Sequence, residues 1–286
     1  MRLKFTYPVD AGAFCTVGRR TLLKGLAGAA ALTLAPSPFR HSLHAQPVFA
    51  VYPFSLGVAS GDPSPDGFVI WTKIAPNPFV RGGGMANQPV EVAWAVASDE
   101  RMAKVVQSGT ATAFAELGHA VHVEVGGLEP GRDYHYRFTV GSERSRIGRA
   151  KTLPAAGSPV AEFRIGHAGC QRYEDGFFTA WRQIAAERFD LVFHYGDYIY
   201  EYRVLRPGDR PLAVVRTMPD APDETYTLDD YRHRYAVYKS DPDLQDAHAS
   251  APFAVVFDDH EVANDWAGDV PRHVVPPEIF RLRRAD

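Results

Sequence analysis

Side chains that could bind metal ions occur in three short clusters that lie far apart in the 286-residue chain. The clusters contain Cys170; then Asp197 and Tyr200; and then Asp258, Asp259, His260 and Asn264. Thiolate, carboxylate, phenolate and imidazole groups bind transition metals, whereas carboxylate and amide oxygens bind hard divalent ions. The residue types therefore predict a metal centre, provided that the fold brings the clusters together.

Two of these residue types indicate which ions such a centre would hold. The phenol of Tyr200 has an ordinary pKa of about 10, so only a strongly acidic cation such as Fe³⁺ favours phenolate binding near neutral pH. A tyrosine beside Cys170 therefore favours Fe³⁺ at one position, and oxygen-rich neighbours suit Ca²⁺. Asp197 follows Gly196, where an open backbone allows one carboxylate to reach two ions.

Each signal is weak when it is taken alone. A lone cysteine such as Cys170 is more often packing, and the Gly196-Asp197 pair is more often a turn. Tyr200 is commonly a packing residue, and residues 258–261 read most simply as a solvated loop. Their joint occurrence after successive predicted strands is what favours a site.

The elements that must position these clusters follow a β-α-β-α-β order. Compact strand patterns cover residues 161–166, 190–195 and 253–257, and helix patterns cover 176–188 and 228–238. Apolar strands in this order predict a sheet that is covered on both faces. Ligands bind beyond the carboxyl ends of such strands, and all three clusters fall at those ends.

The preceding part of the chain has a different pattern. Residues 54–153 alternate polar and apolar side chains between turn clusters, which predicts an antiparallel β-sandwich. Residues 128–136 are similar to the tyrosine-corner hairpin of fibronectin type III-like domains. This part contains no evident nucleophile, metal-ligand spacing or phosphate loop, and a short linker at 154–159 ends it.

The first 45 residues have the pattern of an export signal. Arg19 and Arg20 precede an apolar run at residues 22–35, which is typical of a Tat-type signal peptide; the alternative is an amphipathic N-terminal helix. We therefore expect the Tat export machinery as a partner, transient membrane contact through this leader only, and a periplasmic or secreted mature protein. The mature chain is expected to begin between Pro36 and Ala50.

Composition limits the other function classes. The chain is 45% hydrophobic and 23% charged with a formal net charge of -3, which is typical of a globular protein. No polybasic stretch stands out, so charge gives no indication of nucleic-acid binding. Two cysteines, Cys15 and Cys170, do not make a disulfide framework. Four histidines without a partner at ligand spacing are predicted to be surface or strand residues: His119, His122, His233 and His248.

Three motifs in order carry a family resemblance. Residues 167–171, 196–201 and 257–266 resemble those of the PhoD-like alkaline phosphatases, a branch of the calcineurin-like metallophosphoesterases. Residues 57–63 and 69–72 resemble the N-terminal domain of that family. The resemblance extends from about residue 54 to the end of the chain.

The resemblance implies a fold class and a division of the chain. After a Tat-type signal at residues 1–45, an all-β, fibronectin III-like sandwich is expected at 50–153. An α/β metallophosphoesterase domain is expected at 160–286, incomplete at its C-terminus. Family members are longer, and their second halves supply further ligands. The chain therefore resembles an N-terminal fragment, and we expect it to have little or no activity by itself.

The family pattern also implies roles for individual residues. Cys170 and Tyr200 correspond to ligands of Fe³⁺, and Asp197 corresponds to a catalytic residue that bridges Fe³⁺ and Ca²⁺. Either Asp259 or Asn264 would supply an oxygen to Ca²⁺. His260 corresponds to the catalytic histidine, which faces the phosphate and the leaving group. Arg172, which lies close to Cys170 in the sequence, would contact a phosphate oxygen.

The implied function is that of an exported metal-dependent phosphoester hydrolase, an alkaline phosphatase that uses a metal-activated hydroxide. Two alternatives remain open: a non-catalytic secreted binding protein, and a phospholipase-D-like phosphodiesterase of the same family. The joint presence of Cys170, Asp197, Tyr200 and His260 favours an enzyme, because a degenerate copy would be expected to lack at least one. The sequence does not rank monoesters against diesters.

Overall fold

The computed structural model describes residues 47–206, 208–209, 216–220, 224–271 and 275–285, so the predicted leader lies outside the described residues. The strands are β1 Val58–Ser64, β2 Gly67–Lys73, β3 Val90–Ala97, β4 Val105–Ala113, β5 Ala120–Val125, β6 Asp133–Val140, β7 Glu143–Arg144, β8 Gly148–Lys151, β9 Ile165–Ala168, β10 Leu191–His194 and β11 Pro252–Val255. The helices are α1 Thr179–Ala186, α2 Leu228–Lys239, α3 Pro242–Ser250 and α4 Pro277–Ala285. In this part of the chain no helix is long and apolar enough to cross a bilayer.

The strands form two sheets. One sheet has the order β5-β2-β1-β11-β10-β9, and the other has the order β4-β3-β6-β7, with β8 paired to β6. Within the first sheet β2 is antiparallel to β1 and to β5, whereas β11 is parallel to both β1 and β10, and β10 is parallel to β9. An antiparallel half therefore continues directly into a parallel half through the β1–β11 pair.

This arrangement confirms a strand-rich N-terminal part followed by a parallel β-α-β-α-β unit. The pairing of Ser60 with Pro252 carries the first sheet across the predicted division between residues 153 and 160. The domain boundaries and the fibronectin III-like assignment stay predictions. In the segment predicted as a tyrosine corner, the Glu129 N–H donates to the Tyr134 hydroxyl at 3.0 Å.

The core of the N-terminal part lies between the two sheets. Ile70 of β2, Val92 of β3 and Tyr136 of β6 are fully buried there, at alternate positions of their strands. Period-2 alternation places such side chains on one face of each strand, so the apolar sets of the two sheets meet. Burying each large apolar side chain contributes about 1.5–3 kcal/mol, which holds the first sheet in place.

Helices cover one face of the parallel strands. Val192 of β10 and Phe253 of β11 are buried against Trp181 of α1 and Leu244 of α3. The sequence predicted a sheet covered on both faces, and this prediction is wrong for the described residues. Phe193, on the opposite face of β10, is 40% exposed, because none of these residues forms a layer over it.

Local signals explain where the helices begin. Thr227 and Asp230 form a capping box at the start of α2, which the sequence predicted at 228–238. Helix α3 was not predicted, although Asp241 caps it and Pro242 occupies its first turn. The prediction of a surface or strand position for His248 is wrong, because α3 places this side chain in the core.

Candidate metal centre

Close backbone contacts hold the loops after β9, β10 and β11 together. The Cys170 N–H donates to the Gly196 carbonyl at 3.1 Å, and the Gln171 N–H donates to the Asp197 carbonyl at 3.2 Å. Gly196 has a φ of 108°, and a Cβ there would lie 2.5 Å from the Cβ of Asp258. A glycine is therefore required at the point where the third loop packs on the second.

Asp197 lies at the centre of these loops and is only 7% exposed. Its Oδ2 accepts a hydrogen bond from the Tyr200 hydroxyl at 3.0 Å. Cys170 lines the same cavity as Tyr200. The other carboxylate oxygen, Oδ1, is buried with no hydrogen-bond partner among the described residues. A buried carboxylate oxygen without a partner is costly, and a cation would satisfy it.

Two further predicted residues lie beside Asp197. Asp197, Asp259 and His260 each offer one ligand atom, and these atoms all lie within 4.8 Å of one another. Carboxylate and imidazole donors at this separation can share one ion or a pair of ions. The structure therefore brings together five of the predicted residues, and the donor set fits metal ions.

Asn264 lines a different cavity from Cys170, Tyr200 and His260. Its amide donates to Asp265 Oδ2 at 3.0 Å, and it lines a cavity of about 430 Å³ that also contains Glu201. A different cavity, of about 510 Å³, is lined by Cys170, Tyr200 and His260. The metal role of Asn264 stays a prediction, as does the choice between Asp259 and Asn264.

Arg172 lines both cavities. Its guanidinium lies 5.7 Å from the centre of the Tyr200 ring and 5.1 Å from that of Tyr202. Its Nε is 3.5 Å from a carboxylate oxygen of Glu174, which is almost fully buried. This ion pair keeps the guanidinium beside the metal-binding loops. Its contact with a phosphate oxygen stays a prediction.

Sequence reasoning missed the role of Glu261. Its carboxylate accepts hydrogen bonds from the backbone N–H groups of Asp197 at 3.1 Å, Tyr198 at 2.5 Å and Asp258 at 2.6 Å. One side chain thereby joins the second loop to the third. Asp258 and Glu261 form a capping box around the 3₁₀ turn Asp259–Glu261, and this spacing of an Asp and a Glu is visible in the sequence.

Glu201 was also missed, and it holds the histidine. It is 2% exposed, its Oε2 lies 2.7 Å from His260 Nδ1, and its Oε1 accepts from the Asn264 N–H at 2.8 Å. Burial by itself would lower the pKa of His260, but the hydrogen bond and charge of Glu201, with Asp197 and Asp259, raise that pKa above its ordinary value. The imidazole therefore holds its proton more firmly than a free histidine.

The Cys170 thiol and the Tyr200 phenol also hold their protons more firmly than the free side chains. Burial, and then the neighbouring Asp197 carboxylate, raise the pKa of Cys170 and the pKa of Tyr200. Binding as thiolate and phenolate therefore requires a cation strong enough to displace both protons. This requirement agrees with the strongly acidic ion that the tyrosine indicated.

Parallel strands with a carboxylate–imidazole cluster beyond their ends define an α/β protein with a candidate metal site. Two family profiles match the chain: "PhoD-like phosphatase" over residues 165–286, and "PhoD-like phosphatase, N-terminal domain" over residues 41–154. The chain belongs to the PhoD-like phosphatase family. This membership confirms the resemblance that the three sequence motifs carry.

Two individual relatives agree with this assignment. The chain is 48% identical over 278 residues to alkaline phosphatase D of Bacillus subtilis (strain 168), a match that covers 94% of this chain and 46% of the relative. A solved structure described as "Structure of PhoD" is 49% identical and superposes with a TM-score of 0.79 over 84% of this chain and 45% of that one. The chain therefore spans about half the length of these relatives.

Proposed function

We propose that this chain is part of a metal-dependent phosphoester hydrolase of the alkaline phosphatase type. The observation that carries the proposal is the buried Asp197 Oδ1, which has no partner among the described residues while Asp259 and His260 offer ligand atoms close by. The name of the curated relative, alkaline phosphatase D, supports a phosphate ester as the substrate class.

The donor types support Fe³⁺ and Ca²⁺ as the ions. Cys170 and Tyr200 would hold Fe³⁺, because phenolate binding near neutral pH needs a strongly acidic cation. Asp197 would bridge the two ions, and an oxygen of Asp259 or Asn264 would bind Ca²⁺. When bound, the ions would neutralise phosphate oxygens and lower the pKa of a water molecule that attacks phosphorus.

The remaining residues would position the ester and move a proton. His260, whose Nδ1 is held by Glu201, would donate a proton from its other ring nitrogen to the leaving oxygen. The raised pKa of His260 supports this role, because the donor must be protonated before the bond breaks. Arg172, held by Glu174, would bind a phosphate oxygen and fix the orientation of the ester.

The site of action follows from the leader, which lies outside the described residues. We place the mature protein in the periplasm or outside the cell, after export by the Tat machinery. The twin arginines Arg19 and Arg20 before an apolar run support this proposal. Fractionation of cells that express the whole chain, with and without an Arg19→Lys and Arg20→Lys change, tests it: the doubly changed chain should stay inside the cell.

Metal content tests the proposed site independently of turnover. The chain is loaded with iron and calcium and measured by mass spectrometry and visible absorption, in the wild type, in Asp197→Asn and in Glu124→Gln. Glu124 is an exposed carboxylate on β5. We expect visible iron–phenolate absorption in the wild type and Glu124→Gln, and its loss in Asp197→Asn.

Hydrolysis of p-nitrophenyl phosphate and bis-p-nitrophenyl phosphate then distinguishes monoesterase from diesterase activity. An Asp197→Asn chain that keeps both ions would contradict the site. A wild-type chain without iron or absorption would favour the non-catalytic binding protein.

A further inference from the structure

A second cavity, outside the metal centre, lies between helix α2 and strands β1, β2 and β5. Its volume is about 680 Å³, within the range of sites that bind small molecules. None of the five grouped metal-site residues lines it. Its walls are mostly apolar, and they include Leu56, Ala59, Val69, Trp71, Leu228 and Ala236. We call this cavity the α2 groove.

Lys239 reaches into the α2 groove from the last turn of α2. Its Nζ lies 4.3 Å from the centre of the Trp71 ring and 5.7 Å from that of Tyr198. Among the described residues it has no carboxylate partner, whereas Lys151 forms an ion pair with Asp190. An aromatic face offsets only part of the cost of removing an ammonium group from water.

No carboxylate of the described residues forms an ion pair with Lys239, although two line the groove. Burial lowers the pKa of Lys239 to about 7. Burial also lowers the pKa of His248, and the charge of Lys239 lowers it further. Lys73 and Arg232 line the same groove and are cationic. Two carboxylates of the described residues line the groove, those of Asp62 and Glu261. Asp62 is exposed on β1, and Glu261 is occupied by backbone N–H groups of the loops at the candidate metal centre.

We propose that the α2 groove is a second ligand site, which binds a small aromatic molecule carrying one carboxylate. The carboxylate would pair with the Lys239 ammonium, and the ring would lie against Ala59, Val69 and Ala236. An ammonium group that has no ion pair among the described residues, beside a mostly apolar wall, matches an acid group on an apolar body. This inference goes beyond the proposed hydrolase function and does not rest on it.

Calorimetric titration with two matched probes tests the proposal. The probes are 2-naphthoate, which carries the acid, and 2-naphthalenemethanol, which has a similar shape without charge. They are titrated into the full chain as wild type, Lys239→Met and Lys104→Met; Lys104 is exposed and lies outside the groove. We expect Lys239→Met to weaken naphthoate binding about tenfold or more, with little change for the alcohol or for Lys104→Met.

A second variant makes the test independent of the charge. Val69→Phe narrows the groove from β2 and leaves Lys239 in place, so it should weaken binding of both probes. Circular dichroism and thermal melting check that each variant folds. The proposal is overturned if naphthoate binds wild type and Lys239→Met equally, if the wild type binds neither probe, or if Val69→Phe leaves both affinities unchanged.

Discussion

Two glutamates hold the candidate metal centre in place without being predicted as ligands. Glu261 accepts hydrogen bonds from backbone N–H groups of two loops, and Glu201 binds His260 and the backbone of Asn264. Residues of this kind orient metal ligands, and their loss typically costs 10- to 100-fold in metal affinity. Glu261 therefore positions Asp197, and Glu201 positions His260.

Replacing Glu261 with glutamine should weaken metal binding. Glutamine keeps one acceptor oxygen but places an NH₂ donor against backbone N–H groups, so the loops lose contacts that fix Asp197 and Asp258. We expect iron to dissociate to a chelator at least about tenfold faster than from the wild type. Glu91→Gln, an exposed carboxylate on β3, serves as the control. Equal dissociation rates for the two variants would show that Glu261 does not position the ligands.

Replacing Glu201 with glutamine should lower the pKa of His260, because the neutral amide removes the charge that raises this pKa. The protonated imidazole would then be lost at a lower pH than in the wild type. NMR titration of the metal-free chain measures this directly. An unchanged pKa in Glu201→Gln would contradict the electrostatic role given to Glu201.

The sequence identified the ligand-type residues but not their supports. Cys170, Asp197, Tyr200 and His260 stand out because their side chains bind metals after predicted strand ends. From the sequence alone, Glu201 and Glu261 look like solvent-exposed carboxylates in loops. Their function depends on backbone N–H groups of other loops, and no residue pattern within one loop reveals such contacts.

At the scale of elements, an ion pair fixes the strand that carries the second loop. Asp190, just before β10, pairs with Lys151 of β8 and accepts from the Arg164 N–H at 2.7 Å, just before β9. Burial by itself would raise the pKa of Asp190, but Lys151 and the Arg164 N–H bring that pKa below its ordinary value. Asp190 therefore joins three strands in its ionised form.

Asp190→Asn should lower the free energy of unfolding by about 1–3 kcal/mol at pH 7, because it leaves Lys151 without its partner. The pKa is depressed in the folded state, so this contribution is full above about pH 3.9 and is lost as the pH falls through the folded pKa. Urea unfolding at pH 7 and pH 3 measures both values. Asp246→Asn, which breaks the exposed pair with Arg146, should cost about 0–1 kcal/mol.

A difference in the free energy of unfolding between wild type and Asp190→Asn that stays constant from pH 7 to pH 3 would contradict this account.

The order of elements itself was predictable, because compact apolar strands and polar strand ends alternate with helix patterns in the sequence. Helix α3 was missed because its short segment, residues 242–250, mixes Asp, Ala and His without a clear apolar period. Its start signal, Asp241 followed by Pro242, was nevertheless present.

At the scale of the whole molecule, the continuous six-stranded sheet was not predictable from local patterns. It depends on the parallel pair between β1 and β11, whose strands lie almost 200 residues apart in sequence. Within the described part of the chain, one face of the parallel half of this sheet is left open, where Ile165 is 52% and Phe193 is 40% exposed. Exposed apolar faces of this kind favour association.

We expect the described chain to self-associate through that open face. Phe193→Ser should reduce association, measured by sedimentation velocity over a range of protein concentrations. Phe114→Ser, which removes an exposed phenylalanine outside the parallel half, should leave association unchanged. Equal effects of the two variants, or a monomeric wild type at all concentrations, would contradict this prediction.

The central claim is that Asp197, Cys170 and Tyr200 bind an iron ion at the carboxyl ends of the parallel strands. Crystallography of the iron-loaded chain with X-rays at the iron absorption edge tests it most directly. The account predicts one anomalous peak in contact with Asp197 Oδ1, the Tyr200 oxygen and the Cys170 sulfur. A peak at another site, or Asp197 Oδ1 bound to a protein group with no iron beside it, would contradict the account.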